Sequence, residues 1–346
     1  MNWSGIAALG LTLALPLAMP NPVLAQRALK SAPACAAEGD LQFVCNLANV
    51  EDILPVAGGR WLVGSSLKPG SVGLYLIDTA AKTARSVNLS IAAKTDPAYA
   101  GCAAPDLAGL STHGLDVIPE TGGVSTVYAV NHGTRESVEV FRLHAARGSA
   151  EWIGCVVLPE GAMGNAVAAL PGGGFLVTKW LDTRNRQDIG NVLAGRVNGL
   201  VYKWQPQGGF SVVPGTQLSG DNGILVSPDG KWAFVNAWGT KEIYRVALFG
   251  YGESKSVRVD FHPDNLRWAP DGTIFVTGQY LRPFGTPGPS LGWATARLNP
   301  RTMAITPLIS EPGYAQFDSG TSSVQLGKTL WIGTYHGDRI AYRSMP

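Results

Sequence analysis

Polar side chains stand at the start of five apolar segments of this chain, each four to six positions before the proline of the following turn. They are Glu51, His113, Asn165, Asn222 and the pair Asp264 and Asn265. A single asparagine at such a place is usually a turn or cap residue. The chemistry therefore depends on whether the fold brings the five places together.

All of these residues except His113 offer oxygen donors, and two of them are carboxylates. Carboxylates held close together away from water raise each other's pKa and need a compensating cation. A donor set made only of oxygen selects a hard ion, and calcium accepts about six to eight oxygen ligands in irregular geometry, whereas magnesium needs a small octahedron. If the segments converge, they predict a calcium site.

Two histidines stand close to this set in the sequence. His113 opens one segment, and His132 ends the next strand of the same unit, so the two imidazoles could touch. One histidine can take a proton from water and the second can pass it to solvent. The alternative is that each is a hydrogen-bonded structural residue. The remaining histidines, His144, His262 and His336, are expected in loops or at the surface.

A sixfold repeat indicates the elements that position these residues. Three apolar residues followed by a small or short polar one recur at 61–64, 128–131, 175–178, 233–236, 274–277 and 330–333. Successive copies lie 41 to 67 residues apart. Each copy follows a turn rich in Gly or Pro, as at 171–174 and 228–230, and no long segment holds a 3.6-residue period.

The repeat predicts an all-β chain folded as a six-bladed β-propeller with a central metal-binding tunnel. Because the innermost strands of a propeller surround one tunnel, equivalent positions in different blades converge there. A large β-sandwich is the alternative, but it would not explain six equivalent copies. We predict that 41–346 forms a single propeller domain.

Composition excludes some classes of function. The chain has 346 residues, of which 15% are charged and 45% hydrophobic, with a formal net charge of +2. An average soluble domain has about 25% charged residues. The weak charge argues against a nucleic-acid partner, and the apolar fraction allows a large core.

The N-terminus has the pattern of an export signal. An apolar run at 6–19 is followed by Val23-Leu24-Ala25, which predicts a signal peptide over 1–25 and an N-terminal extension over 26–40. An uncleaved membrane anchor is the alternative. We expect an exported protein, periplasmic or secreted, with no stable membrane span after cleavage.

The four cysteines all follow the predicted cleavage site, and an even count in an exported chain favours disulfides. Three pairings are possible. We expect Cys35 to pair with Cys45, and Cys102 with Cys155.

Short motifs in a fixed order run from about residue 40 to residue 340. They lie at 45–47, 51–52, 113–115, 130–132, 137–141, 165, 222–224, 227–231, 264–265 and 332–334. On these motifs the chain resembles the serum paraoxonase/arylesterase family, with a looser similarity to gluconolactonases of the senescence-marker-protein group.

This resemblance implies a calcium-dependent hydrolase that opens lactones and, promiscuously, aryl esters. Glu51, Asn165, Asn222, Asp264 and Asn265 match the ligands of the family's catalytic calcium, and His113 and His132 match its histidine dyad. In the implied reaction, calcium polarises the ester carbonyl while His113 deprotonates water with His132 as relay. Substrate range is expected to depend on the loops at 96–111, 181–199 and 280–293.

The chain also departs from the family pattern. Asp52 and the Leu115 carbonyl match ligands of a second, structural calcium, but Ala166 stands where the family has an aspartate, so we expect a weak second ion or none. Gln279 replaces a histidine of the fifth-blade wall. Cys45 lacks the family's C-terminal partner, so ring closure is expected to rest on strand pairing alone.

Two other classes of function remain open from the sequence. One is a non-catalytic propeller that is stabilised by calcium and acts as a binding module. The other is the strictosidine-synthase-like side of the superfamily, with non-hydrolytic chemistry, although that side lacks the full set of oxygen ligands present here.

Overall fold

The computed structural model describes residues 35–249, 252–282 and 290–346. These all belong to Cys35–Pro346, one of the two units into which the chain divides. The predicted signal peptide and most of the predicted extension lie outside the described residues. In the described part of the chain, the one α-helix is α1 (Asp188–Leu193), and almost everything else that is regular is β-strand.

The described strands form six sheets, each of them one blade, which confirms the all-β six-bladed β-propeller. The first strand of the described residues, β1 (Gln42–Cys45), belongs to the last blade. Blade 1 contains β2 (Ile53–Val56), β3 (Trp61–Ser65), β4 (Leu74–Asp78) and β5 (Thr83–Ser86). Blade 2 contains β6 (Asn88–Ile91), β7 (Thr112–Pro119), β8 (Val124–Asn131), β9 (Ser137–His144) and β10 (Ser149–Val157).

The remaining blades have four strands each. Blade 3 contains β11 (Ala162–Ala169), β12 (Phe175–Asp182), β13 (Leu200–Gln205) and β14 (Gly209–Val212). Blade 4 contains β15 (Asp221–Val226), β16 (Trp232–Ala237), β17 (Glu242–Ala247) and β18 (Lys255–Arg258). Blade 5 contains β19 (His262–Trp268), β20 (Ile274–Tyr280), β21 (Gly292–Leu298) and β22 (Ile305–Pro312). Blade 6 contains β23 (Gly320–Leu326), β24 (Thr329–Thr334) and β25 (Arg339–Ser344), with β1 as its outer strand.

Pairing within the blades is antiparallel, except that β6 adds to the outer edge of blade 2 in parallel with β10. The ring is closed by β1, which pairs with β25 from Gln42 opposite Tyr342 to Cys45 opposite Arg339. The prediction that closure rests on strand pairing is therefore confirmed.

The sixfold apolar repeat forms the second strand of each blade, next to the innermost strand. These strands read as continuous apolar runs because each blade is covered on both faces by its neighbours, so Leu62 and Val63 are both fully buried. The turns before them need glycine where the backbone is left-handed, as at Gly230 (φ 70°) and Gly272 (φ 80°) in the two Pro-Asp-Gly turns.

The core is a ring of six apolar clusters, each filling the space between two neighbouring blades. Between blades 1 and 2, for example, Val63 and Leu74 pack against Val127 and Phe141. Burial of this kind stabilises by about 25 cal/mol per Å² of apolar surface. It also fixes the distance between the innermost strands of adjacent blades.

Both expected disulfides are present, Cys35–Cys45 and Cys102–Cys155. The second one fastens the loop at 96–111 to β10. No helix among the described residues is long and apolar enough to cross a bilayer.

Candidate metal centre and histidine pair

The innermost strands are interrupted at equivalent positions. In blades 2 to 6 the pairing of the innermost strand with the second strand skips two residues. The skipped pairs are His113–Gly114, Asn165–Ala166, Asn222–Gly223, Asp264–Asn265 and Thr321–Ser322. In blade 1, Glu51 and Asp52 directly precede β2. Such bulges re-aim side chains, and here they do so in five of the six blades.

The bulges of adjacent blades approach each other closely. A Cβ placed on Gly114 would lie 2.5 Å from both the Asn165 carbonyl oxygen and the Ala166 Cα, and one on Gly223 would lie 2.1 Å from the Asp264 carbonyl oxygen. Only glycine fits at these two positions without moving the neighbouring backbone.

Direct side-chain contacts link four of the five predicted ligand residues. Asn265 Nδ2 donates a hydrogen bond to Glu51 Oε1 at 2.5 Å, although the two residues are 214 positions apart. The Asp264 carboxyl contacts the side chains of Glu51 and Asn222. Asn165 occupies the equivalent bulge in blade 3, where its side chain is buried.

Gln279 lies on β20, directly behind one of these carboxyls. Its Nε2 donates to Asp264 Oδ2 at 2.6 Å and to the Gly320 carbonyl oxygen at 3.0 Å. Gln279, which stands where the family has a histidine, therefore orients the Asp264 carboxyl.

The two carboxyls at the axis have no cationic partner among the described residues close enough to offset their burial. Burial raises the pKa of Glu51 well above its usual range, and repulsion from Asp264 and Asp52 raises it further. Burial, with a contribution from Asp52, raises the pKa of Asp264 to about 7. Both carboxyls are thus poised to exchange a proton for a metal cation.

Four buried oxygen atoms of this set have no hydrogen-bond partner: Glu51 Oε2, Asn165 Oδ1, Asn222 Oδ1 and Asn265 Oδ1. Buried acceptors are normally paired, and leaving one unpaired costs about 1–3 kcal/mol. Oxygen atoms of this kind are the ligands that a hard divalent cation prefers. The described residues contain no cluster of three or more His, Cys, Asp or Glu side chains suited to a metal. The donors here are instead two carboxylates and three carboxamides, which fit calcium rather than a softer metal.

The predicted histidines are in direct contact. His113 Nδ1 lies 2.8 Å from His132 Nε2, and His132 Nδ1 lies 2.9 Å from both carboxylate oxygens of Glu136. A carboxylate can only accept, so His132 donates from Nδ1 and accepts at Nε2 from His113 Nδ1–H. This order leaves the lone pair of His113 on Nε2, which lies 3.8 Å from Glu51 Oε2.

His113 is neutral in this environment. Burial lowers its pKa well below the usual range, and the neighbouring His132 adds to the effect. The lone pair at Nε2 is therefore available beside the oxygen cluster, and Glu136 fixes the tautomer that makes it available.

Sequence reasoning did not identify Glu136 or the members of blade 6. Glu136 follows His132 by four residues in the short connection between β8 and β9, and that spacing was the available signal. In blade 6, Thr321 Oγ1 and Ser322 Oγ donate to the Glu51 carbonyl oxygen at 2.5 and 3.0 Å. Their distance from the Gly327 turn matches that of the other five units.

The residues predicted for a second calcium have different partners. Asp52 Oδ1 accepts from the Ile53 N–H at 2.9 Å, and Asp52 Oδ2 accepts from the Leu115 N–H at 2.8 Å and from the Arg267 guanidinium. Arg267 Nη2 also donates to the Leu115 carbonyl oxygen at 3.2 Å. Burial raises the pKa of Asp52, and Arg267 acts to lower it. A guanidinium therefore holds the two groups predicted to bind the ion, and they do not fit a second calcium.

Aromatic side chains line the same end of the propeller. Second strands run antiparallel to innermost strands, so their C-terminal ends lie beside the bulges; Trp180, Trp238 and Tyr335 occupy such ends in blades 3, 4 and 6. His262 was expected in a loop or at the surface. It lies instead half-buried on β19, and its ring centroid is 4.4 Å from that of Trp238. The loops at 181–199 and 280–293 leave strands at this end, and residues 283–289 of the latter lie outside the described residues.

Comparison with known proteins finds similarity in structure only. No protein-family model matches the chain, and no curated protein matches it. Among solved structures, a luciferin-regenerating enzyme is similar with a TM-score of 0.58 at 11% identity, covering 87% of this chain and 92% of the other. A gluconolactonase from Xanthomonas campestris has a TM-score of 0.54 at 17% identity, covering 88% and 89%.

A third similar structure is a protein from Thermus thermophilus described as a putative oxidoreductase (glucose dehydrogenase). Its TM-score is 0.50 at 16% identity, and the match covers 88% of this chain and 98% of the other. At these identities the likeness concerns the fold, and the three descriptions name different activities. The chemistry of this chain must therefore be argued from its own site.

Proposed function

We propose that this protein is an exported, calcium-dependent lactonase that opens cyclic esters and also cleaves aryl esters. The observation that carries the proposal is the cluster of four unpartnered, buried oxygen atoms next to an ordered chain of two imidazoles and a carboxylate. One part of this arrangement suits a hard cation, and the other suits removal of a proton from water.

Glu51, Asn165, Asn222, Asp264 and Asn265 are the residues that would hold the ion. When bound, calcium supplies a Lewis acid that polarises a substrate carbonyl and stabilises negative charge on its oxygen. Gln279 keeps Asp264 oriented, and the hydroxyls of Thr321 and Ser322 hold the backbone of Glu51.

The histidine chain supplies the base. His113 Nε2 accepts a proton from water as the water oxygen attacks the ester carbonyl carbon. The proton on His113 Nδ1 can then pass to His132 Nε2, while the His132 Nδ1–H remains hydrogen-bonded to Glu136. When the ester bond breaks, a proton returns from His132 Nε2 to His113 Nδ1 and the proton on His113 Nε2 passes to the leaving alkoxide, so both imidazoles are neutral again and lactone and water give one hydroxy acid.

The substrate class follows from the mouth of the tunnel. We assign Trp180, Trp238 and Tyr335, which stand at the end of the propeller beside the bulges, to an apolar rim of the site, as in many small-molecule sites. Such a rim suits a lactone with an apolar substituent or an aryl ester. The gluconolactonase with the same fold and the resemblance to paraoxonases support lactones as the primary class.

Export is part of the proposal. Two disulfides are stable in an oxidising compartment and are rare in the cytosol. Together with the apolar run at 6–19 they support a periplasmic or secreted protein.

Hydrolysis assays on a small panel test the proposed function. The panel contains γ- and δ-lactones, dihydrocoumarin and phenyl acetate, each assayed with calcium and with a chelator. We expect lactone hydrolysis that is lost on chelation and restored by calcium but not by magnesium. Activity that survives chelation contradicts the metal mechanism, and calcium binding without activity on any substrate favours a binding module.

A further inference from the structure

Two charged residues lie close to the candidate metal centre but outside its ligand set. Asp116 and Arg267 each stand on an innermost strand, two residues beyond the bulges of blades 2 and 5. The equivalent residues of the other blades are apolar and pack in the clusters between neighbouring blades; they are Leu54, Ala168, Leu225 and Val324.

Blades 2 and 5 face each other in a ring of six. Arg267 belongs to β19 in blade 5, and its guanidinium contacts Asp52 of blade 1 and the Leu115 carbonyl oxygen of blade 2. It also donates from Nη1 to the Leu266 carbonyl oxygen at 2.7 Å. To make these contacts the side chain must cross the axis of the propeller.

Arg267 and Asp52 meet in a region that is almost closed to solvent. Arg267 is 6% exposed and Asp52 is fully buried. Asp52 receives two backbone N–H groups in addition to the guanidinium, so both of its oxygens are satisfied without a metal ion. This contrasts with Glu51, one residue earlier, whose Oε2 has no partner.

We propose that the Arg267 guanidinium is a built-in second cation of the tunnel: it neutralises Asp52, ties blade 5 to blades 1 and 2, and leaves one exchangeable metal site per chain.

The test is the calcium stoichiometry of the full-length mature protein, measured by elemental analysis after desalting and by calorimetric titration. We expect one calcium per chain. Asp52→Asn should keep one calcium, because Asp52 is not a ligand, whereas Glu51→Gln should keep none. Two calcium ions in the unaltered protein, with one lost in Asp52→Asn, would overturn the proposal.

Thermal unfolding in chelator tests the ion pair separately from the metal. Arg267→Met should lower the melting temperature strongly, and the Asp52→Leu/Arg267→Met double variant should lower it less than the two single effects added together. Additive effects would overturn the pairing, and Asp52→Asn is the fallback if Arg267→Met does not fold. These measurements use no calcium and no substrate, so they can succeed even if the proposed lactonase activity fails.

Discussion

Two adjacent carboxylate layers at the propeller axis differ in how their oxygen atoms are satisfied. In the unsatisfied layer, made of Glu51 and Asp264 with the neighbouring carboxamides, burial raises the pKa of both carboxyls, and four oxygen atoms lack partners. In the satisfied layer, made of Asp52 and Arg267, Asp52 has a hydrogen bond on each oxygen and a guanidinium beside it. Blades 1 and 5 contribute to both layers, so the difference comes from which side chains occupy them.

The difference separates a site that can act from one that only holds the ring together. A covalently attached cation cannot leave, cannot bind substrate and cannot be replaced by a proton. A layer of unsatisfied oxygens is unstable by itself and gains stability when it binds an ion. Functional sites commonly keep such a cost while the surrounding structure offsets it.

Removing one carboxylate from the unsatisfied layer should have the largest effect. Glu51→Gln keeps the size of the side chain but removes its charge, so we expect calcium binding to be lost and kcat/KM for a lactone to fall about 10³-fold or more. In chelator, the same variant should melt no lower than the unaltered protein, because burial already disfavours the charged form of the carboxyl that it replaces.

Glu253→Gln is the matched control, since it makes the same chemical change at an exposed position. It should leave calcium affinity, kcat/KM and melting temperature unchanged. If Glu51→Gln still binds calcium normally, the unsatisfied layer is not the metal site, and the contrast between the layers loses its functional meaning.

Loss of the base should have the next largest effect. In His113→Gln we expect kcat/KM to fall about 10²- to 10³-fold while one calcium remains bound, because general-base catalysis contributes in this range. Steady-state kinetics and calcium titration on the same preparation check this. His144→Gln, at the end of β9, serves as control, and unchanged turnover in His113→Gln would remove that residue as the base.

The part of this arrangement that repeats could be predicted from the sequence. Six apolar runs with turns before them define the blades, and the polar residues Glu51, Asn165 and Asn222 were found because they stand four to six positions before the prolines of the turns. The pairing of His113 with His132 followed from their places on adjacent strands. Each of these predictions needed only the sequence of a single blade.

Contacts between distant blades could not be predicted from the sequence in the same way. Arg267 meets Asp52 over 215 positions, and only the closed propeller brings blade 5 to blades 1 and 2. Ala166 indicated that the second calcium was in doubt, but nothing local to it pointed to the arginine. Thr321 and Ser322 were missed because their hydroxyls serve a backbone carbonyl in the neighbouring blade.

Breaking the ion pair between Arg267 and Asp52 should lower the stability of the protein. Arg267→Met leaves the Asp52 carboxylate buried without its cation, and breaking a buried pair on one side costs about 3–5 kcal/mol. We expect a loss of about 3 kcal/mol in the free energy of unfolding, measured in urea with calcium present. Arg301→Met, at an exposed turn, should change it by less than about 0.5 kcal/mol.

The smallest effect is expected at Glu136, which acts on the site only through His132. Glu136→Gln keeps a hydrogen-bonding group beside His132 Nδ1 but no longer requires that nitrogen to donate, so part of the population adopts the tautomer that cannot accept from His113. Removing an outer partner of this kind typically costs about tenfold or more. We expect kcat/KM to fall about tenfold with KM and calcium affinity unchanged, and His132→Gln to add little further loss when combined with it. A loss confined to KM would mean that Glu136 shapes the substrate pocket instead of the histidine chain, because orientation of the base acts on kcat.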